Sequence, residues 1–120
     1  MSRSVLLQLA RDSIEEVFHA KHSIDKKALL SEHPLLHEKI PTTVNLFINK
    51  ELKGSYSLKN SALSLLDNII ICAKKAAFEN EKKDILKTSE YLHCDIELLL
   101  QTSEGIISQT DPAIIQQTTI

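Results

Sequence analysis

Glycine is nearly missing from this chain: its 120 residues contain two, Gly54 and Gly105. A phosphate-cradling P-loop and a dinucleotide-binding fingerprint each need more, so both are excluded, and there is no GxSxG elbow. Tryptophan is absent, and only Phe18, Phe47, Phe78, Tyr56 and Tyr91 are aromatic, so a core must come mainly from Leu and Ile. The two cysteines, Cys72 and Cys94, lie far apart with no CxxC spacing. That excludes a disulfide framework and makes the cytoplasm, with both thiols reduced, the default compartment. The longest uninterrupted apolar run, residues 69–73, is far too short to span a bilayer. Near the start, Gln8, Arg11 and Asp12 break up the apolar stretch and no small-residue cleavage site follows, so no secretory leader is expected. Fourteen basic against sixteen acidic side chains give a net charge of −2, without the basic excess of a nucleic-acid footprint.

What is present is the composition of an ordinary globular domain, 42% apolar and 25% charged. Residues 1–120 are read as a single domain. A chain of this length buries roughly two-thirds of its unfolded surface and needs neither disulfide nor metal to fold.

Leu6, Leu7, Ala10, Ile14, Val17 and Phe18 recur at spacings of three and four. This predicts an amphipathic helix over about 4–20, with Ser2 or Ser4 as cap and Arg11, Asp12, Glu15 and Glu16 on the polar face. Ser23, Ile24 and Asp25 can open a short helix carrying Ala28, Leu29 and Leu30, and Pro34 a further turn before Pro41. Two alternating segments, 44–48 and 52–58, flank the polar Asn49, Lys50 and Glu51 and predict a β-hairpin. Val44, Leu46 and Ile48 would share one face, and Leu52, Gly54, Tyr56 and Leu58 would form the matching set on the partner strand. Lys53, between two of them, is read as exposed. Asn60 or Ser61 can cap a central helix striped by Leu63, Leu66, Ile69, Ile70, Ala73, Ala76 and Ala77. Leu92, Cys94, Ile96, Leu98 and Leu100 alternate with mostly polar residues, predicting a strand over 91–102 with one face in the core. From 111 onward, Asp111 and Pro112 offer turn chemistry before an Ile-rich tail.

Candidate chemistry is sparse. His19 and His22, or His33 and His37, could each place two imidazoles on one helix face, but neither pair has an HExxH-type Glu or an evident third ligand. We assign them to the surface and assign no metal. Cys94 falls in phase with Leu92 and Ile96, and Cys72 sits among Ile71 and Ala73, so both read as core residues rather than nucleophiles. Ser55 and Ser57 lie on the hairpin beside Lys53, with no base in sequence proximity. Lys74, Lys75, Lys82, Lys83 and Lys87 gather near the end of the central helix, where interspersed Glu79, Glu81 and Asp84 favour a solvated face over a phosphate site.

Several segments together resemble the AMMECR domain family. Residues 6–16, with Leu9, Ala10 and Arg11 followed by Ile14 and Glu15, look like its first helix. Residues 43–48 stand where the family has a Phe-Val-Thr-Leu strand, and Glu51, Leu52, Lys53, Gly54, Ser55, Tyr56 and Ser57 at its Leu-Arg-Gly-Cys-Ile-Gly signature. Ala73, Ala76, Ala77 and Phe78 are similar to its Ala-x-x-Ala-Ala-Phe, and 92–106 to its Glu-x-Ser-Val-Leu-Thr strand and following Glu-x-Ile. The set runs in order over roughly residues 5–107. Gly54 keeps the signature's first glycine; Lys53 replaces its Arg, Ser55 its Cys and Ser57 its second Gly. The resemblance implies a reduced member without the family's C-terminal half, and partners among Memo-like or radical SAM proteins.

The expectation is an α+β fold: a small, largely antiparallel sheet packed against an N-terminal helix and a central helix. The expected function is that of a non-catalytic protein-binding or regulatory adaptor, without cofactor, acting in the cytoplasm. The alternatives are an enzyme or enzyme subunit with a polar site around Lys53, Ser55 and residues 79–83, and a nucleic-acid-binding module using the lysines. Any ligand site would centre on Lys53, Gly54, Ser55 and Ser57. Ile106, Ile107, Ile114, Ile115 and Ile120 suggest a homodimer, or a tail folded back on a monomer.

Overall fold

A computed structural model describes residues 4–59, 62–79 and 85–113. Among these residues, four helices and a four-stranded antiparallel sheet make an α+β fold in the order α1 (Val5–His19), α2 (Lys26–Glu32), a 3-10 turn (Pro34–His37), β1 (Thr42–Ile48), β2 (Glu51–Leu58), α3 (Leu65–Phe78), α4 (Thr88–Tyr91), β3 (Cys94–Thr102) and β4 (Gly105–Asp111). The strands lie in the order β2-β1-β3-β4.

Local chemistry accounts for the first helices. Ser4 caps α1 by accepting from the Leu7 amide at 3.1 Å, and Ala20 ends it in the left-handed region at φ 53°. Asp25 caps α2 by accepting from Ala28 at 3.1 Å. The polar face expected for α1 is wrong at two positions. Arg11 is fully buried and Glu16 is 7% exposed, because Arg11 falls four residues after Leu7 and three before Ile14, on the stripe that meets the core.

The hairpin turns on two residues, Asn49 (φ 52°) and Lys50 (φ 67°), the paired positive φ values of a type I′ turn. Its register runs from Thr42 opposite Leu58 to Leu46 opposite Gly54, then shifts so that Phe47 faces Leu52. Lys53 is the extra residue of a β-bulge. The bulge overturns the expected face of Leu52, which shares the side of Phe47 and is 41% exposed. It also takes Lys53 out of solvent: that side chain is 11% exposed.

Helix α3 begins later than expected, capped by Ser64, which accepts from Asp67 at 3.4 Å, and it leaves Leu63 40% exposed. Asn60 and Ser61 lie outside the described residues. Residues 91–93 are not strand: Tyr91 ends α4 and Leu92 and His93 form the turn into β3. Strand β4 was not expected at all; it takes up Ile106 and Ile107, while Ile114, Ile115 and Ile120 lie outside the described residues.

One face of the sheet carries Val44, Leu46, Cys94, Ile96, Leu98 and Leu100, all buried. Helix α3 packs over β1 and β2, while α1 packs on α3 and reaches β4. Phe18 meets Phe78 edge-on at 5.4 Å and Tyr91 at 5.5 Å, closing the core near the helix ends.

Candidate functional site

The second face of the sheet is the place where chemistry reaches solvent. Pairing puts Ser55, Ser57 and Leu52 of β2, Thr43, Asn45 and Phe47 of β1, Glu97 and Leu99 of β3, and Ile106, Ser108 and Thr110 of β4 on this side. None of these side chains is buried. A polar rung crosses three strands: Ser55 Oγ donates to Asn45 Oδ1 at 2.6 Å, and Asn45 Nδ2 donates to Glu97 Oε1 at 2.8 Å. Thr43 Oγ1 and Ser57 Oγ share a second rung at 2.8 Å. Around these rungs Leu52 and Ile106 stay 41% and 65% exposed. A hollow of about 350 Å³ opens at one end of the face, lined by Pro41, Thr43, Lys59, Leu99, Gln101 and Ile106.

The expected cluster of Lys53, Gly54, Ser55 and Ser57 does not converge. Gly54 is buried opposite Leu46, on the helix-covered side. Lys53 donates to Glu90 Oε2 of α4 at 3.0 Å. Ser55 and Ser57 face the open side, where their hydroxyls are held by an amide oxygen and by Thr43. An amide oxygen is no base, so the hydrogen bond of Ser55 orients its hydroxyl without activating it. Of residues 79–83, only Glu79 is described; the rest of that proposed wall lies outside the described residues.

The thiols are equally quiet. Burial pushes Cys72 up to about 12 and Cys94 up to about 11, with Arg11 opposing the shift at Cys94 only in part. Among the described residues, no group of three His, Cys, Asp or Glu side chains is arranged to hold a metal ion. Of the lysines near the end of α3, Lys74 is bound to Glu16, and Lys75 lies 5.4 Å from the Tyr56 ring and 3.9 Å from Glu79.

Two buried polar centres escaped the sequence reading. Arg11 donates through Nε to Asp111 Oδ2 at 2.5 Å and through Nη2 to the carbonyls of Cys94 (2.9 Å) and Pro112 (3.0 Å), with the Tyr91 ring 5.2 Å away. Tyr91 in turn donates to Glu15 Oε2 at 2.6 Å. This centre ties α1 to the open end of the β3–β4 hairpin, where β3 begins and β4 ends. Glu16 accepts from the Ser23 and Ile24 amides at 2.7 and 2.9 Å and from Lys74 at 2.8 Å. Burial alone would raise its pKa; the Lys74 bond and the two amides outweigh that and hold the carboxyl below its ordinary range. This pair floors a hollow of about 630 Å³ between α2 and α3, rimmed by His22, Lys26 and Lys27. The Glu16 bonds fix the chain as it leaves α1, which is a structural task. The spacing of Arg11 from Leu7 and Ile14 was the one available signal for the first centre.

No helix among the described residues is long and apolar enough to cross a membrane. No protein-family model matches the chain, and no curated protein matches it. The fold is similar to the crystal structure of an uncharacterized protein from Pyrococcus horikoshii, with a TM-score of 0.71 and 24% sequence identity. The likeness covers 81% of this chain and 49% of that one, so the chain spans about half the length of its structural neighbour.

Proposed function

We propose that this chain is an AMMECR-like domain acting as a protein-binding, regulatory module, and that its partner docks on the open face of the sheet. The observation that carries the reading is the state of that face. Ser55, Asn45 and Glu97, and Thr43 with Ser57, are engaged with one another in rungs across β2, β1 and β3, while Leu52 and Ile106 are exposed and Leu99 is half-buried among them. A catalytic site would need the reverse, a polar group held ready and unengaged beside a base. An apolar partner side chain fits the hollow beside Leu99 and Ile106, and a basic one suits Asp95 and Glu97 on the same face.

The sequence resemblance names the partners to try first, a Memo-like protein and a radical SAM protein. The test is titration calorimetry of the purified chain with each, taken from the same organism. One of them should bind, and Leu99→Lys should weaken binding roughly ten-fold or more without lowering the melting temperature. Absence of binding to both overturns the assignment of partner class. Binding that Leu99→Lys leaves unchanged moves the site off the open face.

A further inference from the structure

The two edges of the sheet differ in a way that assigns a second interface. Strand β2 is guarded: a bulge interrupts it at Lys53, and Glu51 puts an exposed charge at its start. Strand β4 carries none of these devices. Its seven residues pair with β3 in unbroken register, it contains no proline or lysine, and its single charge, Asp111, is turned inward onto Arg11. Its outer edge has no partner strand among the described residues. Ile106 and Ile107 stand 65% and 48% exposed on opposite faces of it.

We propose that β4 pairs antiparallel with β4 of a second copy, joining two sheets into one of eight strands across a two-fold axis at Ser108. This interface runs along the sheet edge, shares Ile106 with the rim of the open face, and does not depend on the partner reading. The choice of a second copy rests on charge and register. Around a two-fold axis every charge meets a copy of the same strand, so self-pairing suits a strand whose central residues are uncharged. With Ser108 on the axis all seven residues overlap: Ile106 faces Thr110 of the second copy, Ile107 faces Gln109, and Asp111 faces Gly105. No like charges meet, the side chains keep their faces, and each Ile gains a neighbour that covers it. The axis also sets the second copy's Thr110 beside Ile106, on the rim of the 350 Å³ hollow, so the dimer extends that wall.

Light scattering on the full chain between roughly 1 and 100 μM tests this directly. The mass should rise towards twice 13.5 kDa with concentration. Ser108→Lys, which sets two ammonium groups face to face at an exposed position, should hold the mass at the monomer value. Ser108→Glu should do the same, and mixing the two variants should restore the doubled mass through Lys–Glu pairing; that recovery also shows that both fold. Glu51→Lys on the guarded edge should leave the wild-type mass unchanged. A wild-type mass fixed at 13.5 kDa over the whole range rejects the dimer. A dimer that survives Ser108→Lys, or a mixture that stays monomeric, rejects the β4 edge as its interface.

Discussion

Replacing Arg11 with Met should be among the most damaging single changes in this protein. The side chain is fully buried, and its Nε and Nη2 satisfy the Asp111 carboxylate and the carbonyls of Cys94 and Pro112. Methionine fills much of the same space but supplies no donor. The loss therefore takes the guanidinium from a carboxylate that is itself 8% exposed and strips two carbonyls of a partner. Removing one member of a buried ion pair costs about 3–5 kcal/mol, a large share of a typical domain's total stability. For a chain of this size that is a fall in melting temperature of roughly 10–20 °C. Urea unfolding at neutral pH measures it, with Asp111→Asn and the double variant closing a thermodynamic cycle. The two losses should overlap, the double falling short of their sum by about 1–3 kcal/mol. Amide exchange should speed up first in β4, whose Asp111 would lose its tie to α1. A loss under about 1 kcal/mol for Arg11→Met, or strict additivity in the cycle, would refute the claim that this pair fastens β4 to the helical layer.

Three further outcomes follow from the core and the covered face. Cys94→Ser should destabilise by about 1–3 kcal/mol through burial of a poorly satisfied hydroxyl, and native Cys94 should react with a thiol reagent only at the rate of unfolding; fast labelling contradicts its burial. Gly54→Val, which adds bulk at a buried position beside the bulge, should cost roughly 1–3 kcal/mol, and the exposed change Glu51→Ala close to nothing, so equal melting temperatures would show that Gly54 is merely tolerated. Glu16 makes a pH-dependent contribution. Because folding lowers its pKa, that contribution is complete above the ordinary value of 4.5 and is lost as the pH falls through the lower folded value. Glu16→Gln should therefore be less stable than the wild type at pH 7 and draw level with it in acid, and a gap that stays constant from pH 7 to pH 3 would assign the effect to packing alone.

How far the sequence spoke depended on how far apart the interacting residues lie. Ser4, Asp25 and the Asn49-Lys50 turn act within three or four residues, and their helices and hairpin were legible from local pattern. Arg11 was placed on the wrong face because its charge outweighed its spacing, and what makes its burial tolerable, Asp111, is 100 residues away. Strand β4 has adjacent Ile106 and Ile107 followed by polar residues, so it lacks a period-two signal; it is a strand because β3 pairs with it. The bulge at Lys53 left no mark in the alternation, yet it decides where the expected site residues go. It turns Leu52 to the open face and lets Lys53 reach Glu90, 37 residues on, while Ser55 points the other way to Asn45. Four neighbours in sequence thus serve two sides of a sheet. The rung that occupies Ser55 is completed by Glu97, 52 residues beyond Asn45. Only once that register is fixed does the character of the face emerge: Ser55, Asn45 and Glu97 closed on one another, and Leu52 and Ile106 exposed beside them.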